Sequence, residues 1–294
     1  MAGLLLLLLA GAAYESLSEA REAQAYPPPG QMVDVGGYRL HINCMGTGGP
    51  TVVIDAGLGD WSTTWGVVQA EVAKTSRVCT YDRAGMGWSE PGPLPRDASE
   101  FSKELNTLLH NANIPGPYVM VGHSLGGLPV RVFVHDYPAE VAGVVLIDSM
   151  YPGQTRYATQ SGALSLFSVL ARFGIVRLLA GPLGMVTDVP SDQAAYDSLS
   201  VRPQSLKAFA NEIRGIPDSL AQAGAVTTFG DLPLIVLSRG LDEVGGWQEG
   251  QAELTQLSSN SQHLIAEQSG HLIQLHQPEA AVAAIVAMIE ELRK

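Results

Sequence analysis

The chain has 294 residues, 46% of them hydrophobic. That is long enough for one large domain or a core with an insertion, and too apolar for a disordered protein. Seventeen basic against 29 acidic residues give a formal charge of −12, which argues against nucleic acid or an anionic membrane surface as the main partner. The two cysteines, Cys44 and Cys79, are too few for a zinc site, and no CxxC or HExxH spacing occurs.

The N-terminus carries an apolar run, Ala2–Ala13, shorter than the roughly 20 residues that span a bilayer. It lacks a basic leading region, although "AQA" (Ala23–Ala25) resembles a cleavage site. The charged stretch Glu15–Glu22 lies between the two. The expectation is an export signal or membrane anchor; the alternative is a cytoplasmic protein whose N-terminal helix packs on the body. "PPPG" (Pro27–Gly30) reads as a stiff linker, so residues 1–30 are set apart from the folded domain. In an exported chain Cys44 and Cys79 could pair; two buried free thiols are the alternative.

From Gln31 onward, β-branched apolar runs alternate with helical patterns, which predicts a mostly parallel sheet covered by helices on both faces. "QMVDV" and "YRLHINC" read as an antiparallel pair around Gly36 and Gly37. Strands follow at Thr51–Gly57, Arg77–Asp82, Tyr118–Gly122, Gly143–Ser149, Leu232–Gly240 and Ser261–Glu267. Helices fit Thr64–Thr75, Ala98–Ala112, Leu125–Tyr137, Trp247–Ser258 and Pro278–Leu292. In the last, Ala281, Ile285, Met288 and Leu292 recur at helical spacing. Residues 150–230 break the rhythm with helical pieces and no clear strand. So long a loop would be unusual, and the segment is expected to be a helical cap inserted between core segments 31–149 and 231–294. Its apolar stretch Leu164–Val186 is a candidate wall for an acyl pocket, or else simply packs on the core.

The chemistry centres on Gly122-His123-Ser124-Leu125-Gly126. A G-x-S-x-G pentapeptide between strand and helix forms a tight, strained elbow that lifts the serine hydroxyl above the strand ends, at a helix N-terminus that favours developing negative charge. Pro129, about five residues into the predicted helix, should kink it. A serine hydroxyl needs a base. Of seven histidines, His271 lies between the last strand and the last helix and follows the serine, as the order Ser, acid, His requires. His276 is read as flanking the helix, and His123 as pointing away from the hydroxyl. Two carboxylates close strands on the same sheet edge: Asp148, after "VVLI", and Asp242, after "LIVLSRG". Either could orient the imidazole, and Asp148 is slightly favoured. The oxyanion donors are expected to be the backbone N–H groups of Leu125 and of Leu58, the latter between Gly57 and Gly59. Trp61, Trp65 and Met150 are candidate walls of the site.

The segments "DAGLGDWSTTW", "YDRAGMGWSEPG", "VGHSLGG", "VVLIDS" and "SGHLIQLHQPE", in that order, resemble the α/β-hydrolase fold superfamily from about Val33 to Leu292. The resemblance implies an eight-stranded sheet, a helical lid between the sixth and seventh strands, and serine-esterase chemistry without a cofactor. Two features depart from the family pattern. Ala56-Gly57 stands where His-Gly is usual. Glu243, rather than Asp242, holds the usual acid spacing after the seventh strand. The function expected is carboxylic ester hydrolysis through an acyl-enzyme on a small-molecule ester. Acyltransferase, lactonase, peptidase or cofactor-free haloperoxidase chemistry on the same residues is the alternative, with a non-catalytic binding protein behind it.

Overall fold

A computed structural model describes residues 2–154, 161–180, 182, 188–189, 192–242 and 245–294, with backbone only at 161–165. The chain opens with helix α1 (Ala2–Ala25). The charged stretch Glu15–Glu22 continues the same helix, because Glu, Ala, Leu and Arg are all good helix formers. At about 1.5 Å per residue the helix is roughly 36 Å long. It is long and apolar enough to cross a membrane, judged by length and composition. Its leucines face outward: Leu4, Leu5, Leu6, Leu7 and Leu9 are exposed. Its second half docks on the body. Glu15 is buried and receives Arg177 Nη2 at 2.7 Å, and Arg177 also pairs with Glu22.

The sheet follows. Strands β1 (Gln31–Asp34) and β2 (Arg39–Met45) form the antiparallel pair, turning at Gly36 and Gly37. Strand β3 (Thr51–Asp55) is followed by a 3-10 turn (Ser62–Trp65) and α2 (Gly66–Val72). Then come β4 (Val78–Tyr81), α3 (Ala98–Asn111), β5 (Tyr118–His123), α4 (Gly127–Asp136) and β6 (Val141–Ile147). Four helices separate β6 from the next strand: α5 (Ser161–Ala171), α6 (Ile175–Ala180), α7 (Gln193–Ser200) and α8 (Pro203–Ala225). The chain closes with β7 (Leu234–Arg239), α9 (Trp247–Thr255), β8 (Ser261–Ala266), α10 (Ile273–His276) and α11 (Pro278–Glu291).

The eight strands form one sheet in the order β1-β2-β4-β3-β5-β6-β7-β8. Pairing is parallel from β4 through to β8 and antiparallel on both sides of β2. Strands β3, β4, β5 and β7 are buried at every position, as parallel strands covered on both faces must be. One face packs Leu105 and Leu108 of α3, Val130 and Phe133 of α4 and Leu254 of α9. The other packs Val68 and Val72 of α2 with Ala281, Ile285, Met288 and Ile289 of α11. Leu292, the fourth member of the predicted stripe, is only partly buried beside that cluster.

Helix α8 joins the inserted helices to the core. Its Ile213 and Ile216 pack with Phe101 of α3 and with Leu125, Leu128 and Val132 around α4. Ser219 Oγ accepts the Ala98 N–H at 2.9 Å and Gln222 Oε1 accepts that of Ser99, also at 2.9 Å. Together with Asp97, whose side chain accepts from Glu100 N, they satisfy the first amides of α3, which have no partner within their own helix.

Cys44 and Cys79 are joined in a disulfide across directly paired positions of β2 and β4. The bridge closes a segment of 35 residues and should contribute about 2–4 kcal/mol by restricting the unfolded chain. Reduction, or Cys44→Ala with Cys79→Ala, is expected to lower the urea midpoint accordingly. An unchanged midpoint would mean that the bridge adds nothing to stability.

Candidate active site

The elbow is built as its residue types require. Ser124 has φ 52°, a left-handed conformation that a non-glycine residue rarely adopts. Neighbours pack too tightly for side chains. A Cβ on Gly122 would lie 2.7 Å from Gly127 Cα, and one on Gly126 would lie 2.3 Å from the Asp55 carbonyl oxygen. The turn leaves β5 through one 3-10 turn, Ser124–Gly126, before α4 begins. This removes the predicted kink. Pro129 falls in the first turn of α4, where a missing N–H leaves no intrahelical bond unmade.

The loop after β8 returns His271 to this elbow. His271 Nε2 lies 3.0 Å from Ser124 Oγ, and His271 Nδ1 lies 2.5 Å from Asp148 Oδ2. A proton on Nδ1, donated to the carboxylate, leaves Nε2 as the acceptor facing the hydroxyl. Asp148 is fully buried. Its Oδ1 accepts the Trp247 indole N–H at 2.7 Å and the Arg239 backbone N–H at 3.1 Å. The Arg239 guanidinium flanks the carboxylate as an ion pair, with Nε 2.8 Å from Oδ2. Burial alone would raise the Asp148 carboxyl, but the hydrogen bond and charge of His271 and the charge of Arg239 hold it below its ordinary value.

Asp242, the other candidate acid, is exposed, with its carboxylate over Gly270; the imidazole pairs with Asp148 instead. Glu243 lies outside the described residues. His123 does point away from the hydroxyl: its Nε2 meets the backbone carbonyl of His271 at 2.9 Å. Burial, then the nearby His271, lowers its pKa to about 3, so the neutral ring donates to that carbonyl and steadies the loop. His276 ends α10 and is exposed.

Leu125 follows the serine directly. Leu58 lies on the loop after β3, which presses on Ser124: a Cβ on Gly57 would sit 3.4 Å from Ser124 Cβ. That loop is held from beneath by a residue that sequence reading did not single out. Arg83, buried after β4, donates to the carbonyls of Ala56 and Gly57 at 2.6 and 2.5 Å, to Asp55 at 2.6 Å and to Glu212 of α8 at 2.7 Å. Glu212 in turn accepts the Gly59 N–H at 2.9 Å. Burial opposes the Arg83 charge, but Glu212 and Asp55 outweigh it and raise its pKa. A carboxylate in the buried stripe of α8, beside Ala208, Ile216 and Ser219, was the available signal. Arg239 and Trp247 gave no local signal beyond their places next to strand and helix ends.

A cavity of about 280 Å³ opens on Ser124 and His271, and Leu58, Met150, Tyr196, Leu272 and Leu275 supply much of its apolar wall. Met150 is thus a wall, as expected. Trp61 and Trp65 are not: both are buried in the core, with Trp61 stacked on Tyr196. No described side chain of Leu164–Val186 lines this cavity. Leu166, Phe167, Val169, Leu178 and Leu179 of that stretch face outward; the side chains of Leu164 and Ser165, and residues 181 and 183–186, lie outside the described residues. Tyr196 of α7 comes from the inserted helices instead.

A family model for the alpha/beta hydrolase fold matches residues 50–278. The chain belongs to the alpha/beta hydrolase family. Membership agrees with the sheet order, the elbow and the chain order of the three paired side chains, and it supports a hydrolase acting on a small molecule. Among curated relatives, an AB hydrolase superfamily protein of Gibberella zeae is 25% identical over 283 residues, covering 83% of this chain and 87% of that one. The probable transporter efuK of Hormonema carpetanum is 35% identical over 126 residues, which is 40% of this chain but only 18% of that protein. Among solved structures, a thermophilic esterase from Thermogutta terrifontis superposes with a TM-score of 0.70 at 22% identity, covering 90% of this chain and all of that one. That likeness is one of fold.

Proposed function

We propose that this alpha/beta hydrolase cleaves carboxylic esters through an acyl-enzyme formed on Ser124. The observation that carries the reading is the continuous line of contacts from Asp148 through His271 to Ser124 Oγ, at 2.5 and 3.0 Å. His271 Nε2 takes the hydroxyl proton as Oγ attacks the ester carbonyl. The amides of Leu125 and Leu58 hold the oxyanion. Collapse of the tetrahedral intermediate expels the alcohol, which receives the proton from His271. Water, activated by the same imidazole, then attacks the acyl-enzyme, and the acid leaves with Oγ reprotonated. Asp148 holds the imidazole in the productive tautomer and offsets its transient positive charge. The inserted helices are read as the cap over this cavity, and α1 as an export signal or membrane anchor; the exposed leucines of α1 support the latter.

The reading predicts stoichiometric labelling of Ser124 by a fluorophosphonate, lost in Ser124→Ala, together with a fall of at least about 10⁴-fold in p-nitrophenyl ester hydrolysis. Unlabelled wild-type protein, or full activity in Ser124→Ala, would sink the proposal. A lactone, a proline-naphthylamide and an acyl acceptor tested beside the esters separate ester hydrolysis from the other reactions this arrangement can perform.

A further inference from the structure

Two polar groups of the cavity take no part in the steps above. Asp60 lies on the cavity wall beside Thr64, just past the loop that carries Leu58. Its oxygens accept one bond each, from Trp61 N at 2.8 Å and Thr64 Oγ1 at 2.9 Å. No cation pairs with it among the described residues; Arg83, the cation that acts on it from a distance, is engaged by Asp55 and Glu212. On the α10 side of the same cavity is Gln274, 1% exposed. Neither its Oε1 nor its Nε2 has a hydrogen-bond partner. A buried amide without partners is unfavourable, and so is a partly desolvated carboxylate without a counter-charge.

We propose that Asp60 and Gln274 form a polar subsite for a primary ammonium group on the substrate, so that the preferred substrates are amino-bearing esters. This deepens the serine-hydrolase reading and rests on it for the position of the ester. An ammonium supplies three N–H donors and a positive charge. The Asp60 carboxylate and Gln274 Oε1 are the two acceptors, and the charge offsets that of Asp60. The apolar side chains of Leu58, Met150, Leu272 and Leu275 would accommodate the connecting methylenes. The net charge of −12 favours the approach of a cation. Burial raises the Asp60 carboxyl to about 7, against the hydrogen bonds of Thr64 and Trp61 and the charge of Arg83, with Asp82 adding to the rise. The other titratable groups facing the cavity are His123, Tyr196 and His271. A carboxyl in that range gains charge between pH 6 and pH 8, and its preference for a cation should grow with it.

The test is binding to Ser124→Ala protein, which cannot turn the ligand over. Methyl 6-aminohexanoate, methyl 6-hydroxyhexanoate and methyl heptanoate are titrated calorimetrically, with shorter homologues beside them. At pH 8 the ammonium ester is expected to bind at least tenfold more tightly than its methyl-terminated counterpart and more tightly than the hydroxyl. Adding Asp60→Asn should bring the tenfold below threefold, Gln274→Leu should reduce it by a smaller factor, and lowering the pH to 6 should shrink it in the otherwise unaltered protein. Equal binding of all three ligands, hydroxyl binding as tight as ammonium, or a preference that survives Asp60→Asn would overturn the subsite. If Asp60→Asn does not fold, Gln274→Leu and the pH dependence still decide. Failure of the serine-hydrolase reading would instead appear as absent fluorophosphonate labelling in wild type, a separate measurement that leaves the binding result standing.

Discussion

Asp148→Asn is expected to lower kcat for ester hydrolysis by about 10⁴-fold, while Asp242→Asn stays within about threefold of wild type. The asymmetry follows from the site. Asparagine keeps the shape of Asp148 but can present an N–H to His271 Nδ1, which selects the wrong tautomer and removes the charge that balances an imidazolium. Asp242 is exposed and not paired with that ring. The substitution also leaves the buried Arg239 guanidinium without its carboxylate partner, so a loss of stability should accompany the loss of rate. Activity is therefore compared below the unfolding transition of each variant. A large loss in Asp242→Asn with near-normal rates in Asp148→Asn would reverse the assignment of the acid.

The ion network under the loop that carries Leu58 is the source of the second large effect. Arg83→Met leaves Asp55 and Glu212 buried without their cation and frees the carbonyls of Ala56 and Gly57. A loss of about 3–5 kcal/mol in unfolding free energy is expected. Glu212→Gln is milder, because an amide still offers an oxygen to the Gly59 N–H. It removes the charge that ties Arg83 to α8, and kcat should fall roughly tenfold with little change in KM, since in the proposed mechanism the loop presents a donor that matters most in the transition state. Urea unfolding and Michaelis parameters read the two effects separately. A kcat unchanged in Glu212→Gln, with stability lost, would make the network a prop of the fold rather than of the loop.

How much of this was legible beforehand depended on sequence distance. The strands could be placed because each is a short β-branched run bounded by turn residues. The elbow was legible because three glycines about one serine are costly in a strand or helix unless tight backbone packing requires them, and the short contacts at Gly122 and Gly126 are of that kind. The helix after it was misjudged by two residues. A 3-10 turn was inserted, and so Pro129 moved from helix interior to helix start. At the N-terminus the apolar run stops at Ala13 while α1 continues to Ala25, because charged residues end an apolar run but not a helix.

Local pattern alone therefore determined the alternation of strand and helix, the strained serine and the two candidate acids. Only the tertiary structure pairs one of those carboxylates with His271, because Asp148 and Asp242 stand at equivalent strand ends and differ only in what packs around them. Trp247, Arg239 and His271 converge on one and solvent meets the other. The same holds for Arg83 with Glu212, separated by 129 residues, and for Asp60 with Gln274, which share a cavity from distant parts of the chain. Such groups acquire their function from desolvation and from one another. Both are consequences of chain folding that no local spacing encodes.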